Sequence, residues 1–79
     1  MRYYVLSIEF NREKASENRT APKAYDTYDD AIIEFHSRLA ADMKNDSLGW
    51  ALVMVFDNEG NTRRVEKWTR EEEIQLEEL

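Results

Sequence analysis

Cysteine is absent from the 79-residue chain, which excludes disulfides and thiolate metal sites. A single histidine, His36, excludes a multi-histidine metal centre. The two glycines, Gly49 and Gly60, stand too far apart to form a phosphate-cradling loop. No stretch approaches the roughly 18 consecutive apolar residues of a membrane span. The apolar run in Met1–Phe10 is short and interrupted, and no small-residue cleavage site follows it, so no secretory signal is expected. Asn18-Arg19-Thr20 and Asn45-Asp46-Ser47 match the glycosylation pattern only by chance in that setting.

A chain this short forms one domain, residues 1–79, near the lower limit of what folds unaided. With no disulfide or metal available, close packing or a partner subunit has to supplement the core. Net charge is −6. Residues 69–79 hold one basic and five acidic side chains and read as an acidic, frayed tail. No basic stripe exists, so direct nucleic-acid binding is not expected.

What is present is periodicity. Residues 2–10 alternate at strand period, with Tyr4, Leu6, Ile8 and Phe10 on one face and Tyr3, Val5, Ser7 and Glu9 on the other. Residues 11–26 are polar and lack a pattern, and Pro22 argues against helix there. They read as a long connecting loop, with Asn18, Arg19, Thr20 and Lys23 as its candidate binding residues. Thr27 and Asp30 then form a near-capping box, and Tyr28, Ile32, Phe35, Leu39 and Met43 recur at helical spacing. The spacing predicts a helix over 28–45. Strands are predicted over 50–57 and 62–68, joined by Asp57-Asn58-Glu59-Gly60-Asn61 with Gly60 at the positive-φ position. A capping signal at Thr69–Glu72 suggests a short C-terminal helical tail.

The predicted class is therefore α+β, a small β-α-β-β domain with a three-stranded sheet packed on one helix. The first and second strands can run parallel through a right-handed crossover. The face expected under the helix is Tyr4, Leu6, Ile8 and Phe10 with Trp50, Leu52, Met54 and Phe56. The other face carries Tyr3, Val5, Ala51, Val53 and Val55 and is also apolar. One helix cannot cover both, so a homodimer is expected, with Tyr3, Val5, Val53 and Val55 at its interface and Ile33 as an addition.

Chemistry is sparse. His36 at the edge of a helix stripe is a structural residue by default. Asp30 and Glu34 share a helical face but supply too few oxygen ligands for a divalent ion. Asp57–Gly60 misses the calcium-loop pattern, because glycine is fourth where the sixth position is required. No serine has triad partners at a telling spacing. No catalytic, cofactor-binding or metal-ligating residue is assigned, and no cofactor is expected. Asp29, Asp30 and Glu34 form a candidate acidic surface.

Arg2-Tyr3-Tyr4-Val5-Leu6, the segment Glu17–Asp26, Phe35-His36 and Glu66-Lys67-Trp68 resemble a family of short uncharacterised proteins from phages and conjugative elements of gut Firmicutes. The resemblance spans most of the chain and supplies no catalytic residues. It implies a mobile-element protein in the cytoplasm of a bacterial host. Small acidic proteins in that setting often bind a host or phage protein. The expected function is thus a non-enzymatic protein-interaction module. An acidic DNA mimic that occupies a nucleic-acid-binding or defence protein is the alternative, and a small metal-dependent enzyme is a third.

Overall fold

The computed structural model describes residues 1–71; the tail expected beyond Glu71 lies outside them. The elements follow in the order β1 (Tyr3–Asn11), β2 (Ser16–Arg19), β3 (Lys23–Tyr25), α1 (Tyr28–Lys44), β4 (Leu48–Asp57) and β5 (Thr62–Thr69). They make a small α+β domain whose sheet has five strands where three were predicted. The order is β2-β1-β4-β5, and β3 also pairs with β1. Every pairing is antiparallel.

The correction comes from the polar segment 11–26. It doubles back along the free edge of β1, where Ile8–Asn11 pair with β2 and Tyr3–Val5 pair with β3. Pro22 falls in the gap between these two short strands, where its missing N–H breaks the ladder at an edge that tolerates the break. Asn11 starts the turn by accepting from the Glu13 and Lys14 amides through Oδ1, both at 3.0 Å. Ala15 then adopts a positive φ of 51°, a conformation rare outside glycine and asparagine.

This return changes the direction of β4. Because β3 ends beside Tyr3, α1 starts at that end of β1 and crosses the sheet toward Asn11, where β4 begins. β4 therefore opposes β1, which corrects the parallel pairing. The crossover instead joins β3 to β4, which run the same way with β1 between them. Thr27 caps α1 by accepting from the Asp30 amide (3.2 Å), and Asp29 and Asp30 sit at the positive end of the helix dipole.

The core lies on the sheet face opposite to the predicted one. Val5, Val53 and Val55 are fully buried against Ala31, Phe35 and Leu39 of α1, with Tyr3, Tyr25, Ile32 and Trp68 packed around them. The small, mostly β-branched side chains on this face let the helix approach closely, and Phe35 and Leu39 fill the space between the layers. Tyr3, Val5, Val53 and Val55 are thus the monomer's own core and its margin, not an intersubunit surface. Ile33 points away from the sheet and is 67% exposed. Arg63 lies over the rings of Tyr3 and Tyr28, at 5.6 and 5.3 Å, and Arg64 lies over Phe35 at 5.4 Å, so exposed β5 cations shield the core's edge.

This packing fixes what two substitutions do. Val53→Asp places an unpaired charge in the centre of the core and should cost about 3–5 kcal/mol, enough to unfold much of a domain this size. Ile33→Asp should change stability by no more than about 0.5 kcal/mol. Urea titration followed by circular dichroism checks both; equal effects at the two sites would overturn the face assignment.

Candidate binding face on the open side of the sheet

Strand alternation sends the even-numbered residues of β1 and β4 away from the helix. Four cross-strand pairs result: Tyr4 with Phe56, Leu6 with Met54, Ile8 with Leu52, and Phe10 with Trp50. All eight side chains are half-buried, and no described element lies over them. The end pairs stack, with ring centroids 5.3 Å apart for Tyr4–Phe56 and 5.9 Å for Phe10–Trp50. Register adds Ala24, Arg19 and Glu17 along one margin, and Thr62, Val65, Lys67 and Thr69 along the other. Val65 is 51% exposed. Lys67 Nζ sits 4.8 Å from the Trp50 ring centroid and folds its stem over the aromatic end.

Four strands at about 4.8 Å spacing and four same-face positions at about 6.8 Å give this face a footprint of roughly 500 Å². The eight apolar residues occupy the two central strands, about half of that footprint, and the outer strands add mainly polar side chains. The charge of the face also departs from that of the chain. Arg19 and Lys67 outnumber the one carboxylate, Glu17, while the net charge of the whole is −6.

The residues first selected from sequence do not converge on this face. Asn18 and Arg19 belong to β2, and of the two only Arg19 shares the open side, opposite Ile8. Thr20 is a structural clasp: its amide donates to the Ser7 carbonyl (2.9 Å), and its Oγ1 accepts from the Ser7 amide (3.0 Å). Lys23 lies 5.5 Å from the Tyr25 ring centroid on the helix side. Asp29 and Asp30 are exposed on the first turn of α1, whereas Glu34 is paired with Arg38 Nε at 3.2 Å. The candidate acidic surface is therefore reduced to two free carboxylates on the opposite side of the molecule from the open face.

A polar network beneath α1 invites comparison with an active site, because perturbed titration clusters at such sites. Arg38 Nη1 donates to Ser7 Oγ (3.0 Å), Thr20 Oγ1 (3.2 Å) and the Val5 carbonyl (3.4 Å). Nearby, the Asp42 carboxyl is pushed up to about 8 by burial first, then by hydrogen bonding to Glu9 and by its charge; Arg38 opposes the shift. Asp42 Oδ2 has no hydrogen-bond partner, a state a neutral carboxyl tolerates better than a carboxylate. Asp42 is 5% exposed, and His36 stands exposed, edge-on to Phe35. The network ties helix to sheet. Among the described residues no three His, Asp or Glu side chains are placed to hold a metal ion. No described helix is long and apolar enough to cross a membrane.

Asp57 is the other shifted acid. It is 2% exposed and anchors the β4–β5 loop, with Oδ1 accepting from the Glu59 and Asn61 amides, both at 3.0 Å. The Asn61 amide is the largest cause holding its carboxyl below the ordinary range. Gly60, at φ 89°, completes the turn.

No family model, curated protein or solved structure matches the chain. The site therefore rests on its own geometry. Alternation marks the eight open-face residues as an apolar stripe, and their larger, more hydrophobic side chains point to them as the helix-facing set, which the fold reverses. The signal for the opposite choice was size: small side chains at 51, 53 and 55 suit a close-packed helix better than Trp50, Met54 and Phe56 do.

The two shifted carboxyls act in separate pH windows. The unfolded chain releases the Asp42 proton near the ordinary aspartate value of 3.8, while the folded chain keeps it up to about 8. The folded state binds more protons across that window, so stability falls as pH rises through it. Asp57 has the opposite sign: its contribution is present above 3.8 and is lost as pH falls through its lower folded value. Urea midpoints should therefore decline from about pH 5 to about pH 8, and Asp42→Asn should flatten that decline. A slope unchanged in Asp42→Asn would remove Asp42 as its source.

Proposed function

We propose that the chain is a non-enzymatic protein-interaction module that binds a protein through the open sheet face. The observation that carries this is the array of eight half-buried apolar side chains, with no described element over them, between Arg19 on one margin and Lys67 on the other. A face of this kind gains affinity by removing apolar surface from water, about 25 cal/mol per Å² before the costs of association are subtracted. A host or phage protein in a bacterial cytoplasm fits the mobile-element setting that the sequence resemblance implies.

The acidic-mimic alternative draws on Asp29 and Asp30, which are exposed and lie together at the start of α1. It is the weaker reading, because Glu34 is already neutralised by Arg38 and the open face carries more cations than carboxylates.

The two separate by salt and by mutation. A protein captured on the immobilised chain from a bacterial lysate should stay bound from about 0.1 M to about 1 M salt and be released by Phe56→Glu. Capture that survives Phe56→Glu but disappears with salt or with Asp29→Asn plus Asp30→Asn would support the acidic mimic and overturn the open-face proposal.

A further inference from the structure

Resting on the open face as an interaction surface, we infer that a principal occupant of that face is a second copy of this chain, packed sheet on sheet about a two-fold axis perpendicular to the strands. The face is palindromic along β1 and β4. Its rows run aromatic (Tyr4, Phe56), aliphatic (Leu6, Met54), aliphatic (Ile8, Leu52) and aromatic (Phe10, Trp50). A two-fold axis between the two aliphatic rows lays ring pairs on ring pairs and aliphatic rows on aliphatic rows. That self-complementarity is what an isologous interface requires.

The two possible axes space the marginal cations differently, and the crosslinking below separates them. Arg19, Ile8, Leu52 and Lys67 lie at one level across the sheet. An axis parallel to the strands would bring Arg19 of each copy opposite Lys67 of the other, at the roughly 10 Å separation of packed sheets. The perpendicular axis sets Lys67 near Val65 of the partner and leaves the two Lys67 side chains, and likewise the two Arg19 side chains, one row apart at about 12 Å. Asp29 and Asp30 remain on the outer helices, so the chain's negative charge stays away from the contact. A footprint of roughly 500 Å² on each copy buries about 1,000 Å² in total, the lower bound for a specific interface.

Light scattering on the full chain, combined with Trp50 quenching, tests this. Because the chain holds two tryptophans, Trp68→Phe leaves Trp50 as the single indole. The expected mass at micromolar concentration is twice the 9.4 kDa of one chain. Leu52→Glu and the milder Leu52→Thr should both shift the mass to monomer with the circular dichroism spectrum retained, while Ile33→Glu should not. The chain lacks cysteine, so Thr62→Cys mixed with Thr69→Cys should crosslink between copies through a bis-maleimide of about 10 Å span, and Thr69→Cys alone should not. A dimer that survives Leu52→Thr overturns this inference. So does a monomer whose Trp50 is open to acrylamide, which still leaves the face free for a different protein. A monomer with Trp50 shielded overturns both the second copy and the open-face proposal.

Discussion

Val53 and Val55 have no exposed surface, held between β1 on one side, β5 on the other and α1 above. The rest of the structure depends on that contact between one helix and one face of the sheet. Phe35 fills the gap, Ala31 lets the helix come close, and Leu39 extends the contact toward β4. A single helix spans only one face. In a chain with apolar residues at both parities of β1 and β4, choosing the small-residue face as the core leaves the aromatic face with no described element over it.

The polar interactions serve the same layer. Arg38 reaches from α1 to Ser7, Thr20 and the Val5 carbonyl, joining helix, β1 and the end of β2. Arg70 closes the other end, its amide donating to the Gly49 carbonyl (2.8 Å) and its guanidinium to the Leu48 and Asn45 carbonyls (2.9 and 2.8 Å). Asp57 fixes the β4–β5 loop. Asp42 works against these, as a buried acid that stays protonated where an exposed one would ionise. None of the polar groups lies among the eight central residues of the open face, which stays free of charge except at its margins.

Much of this was legible in the chain and some was not. Strand alternation at 2–10, the stripe Phe35–Leu39, the Thr27 cap and the Gly60 turn all act locally, so each could be read from its own neighbours. The edge strands β2 and β3 could not. They are four and three residues long, polar, split by Pro22, and reached through a turn in which Ala15 takes the positive φ usually given to glycine. They form because β1 offers an unpaired edge, which is a tertiary cause. Missing them also reversed the direction of β4, since the helix crossover starts from β3. The candidate face failed for another reason. Both faces were recognised as apolar, and hydrophobicity ranked the larger side chains as core, whereas packing against a helix favours small ones. Ile33 stands on the outer side of α1, away from the valines with which an interface was expected, and the loop residues Asn18 and Lys23 fall on separate edge strands.

The measurement that bears most directly on the central claim is a nuclear Overhauser spectrum of the full chain read from the Phe35 ring. Cross-peaks to the methyl groups of Val5, Val53 and Val55 are predicted, and they do not depend on the oligomeric state, because that contact lies within one chain. Cross-peaks from Phe35 to Leu6, Ile8 and Leu52 in their place would put the aromatic face under the helix and contradict the account.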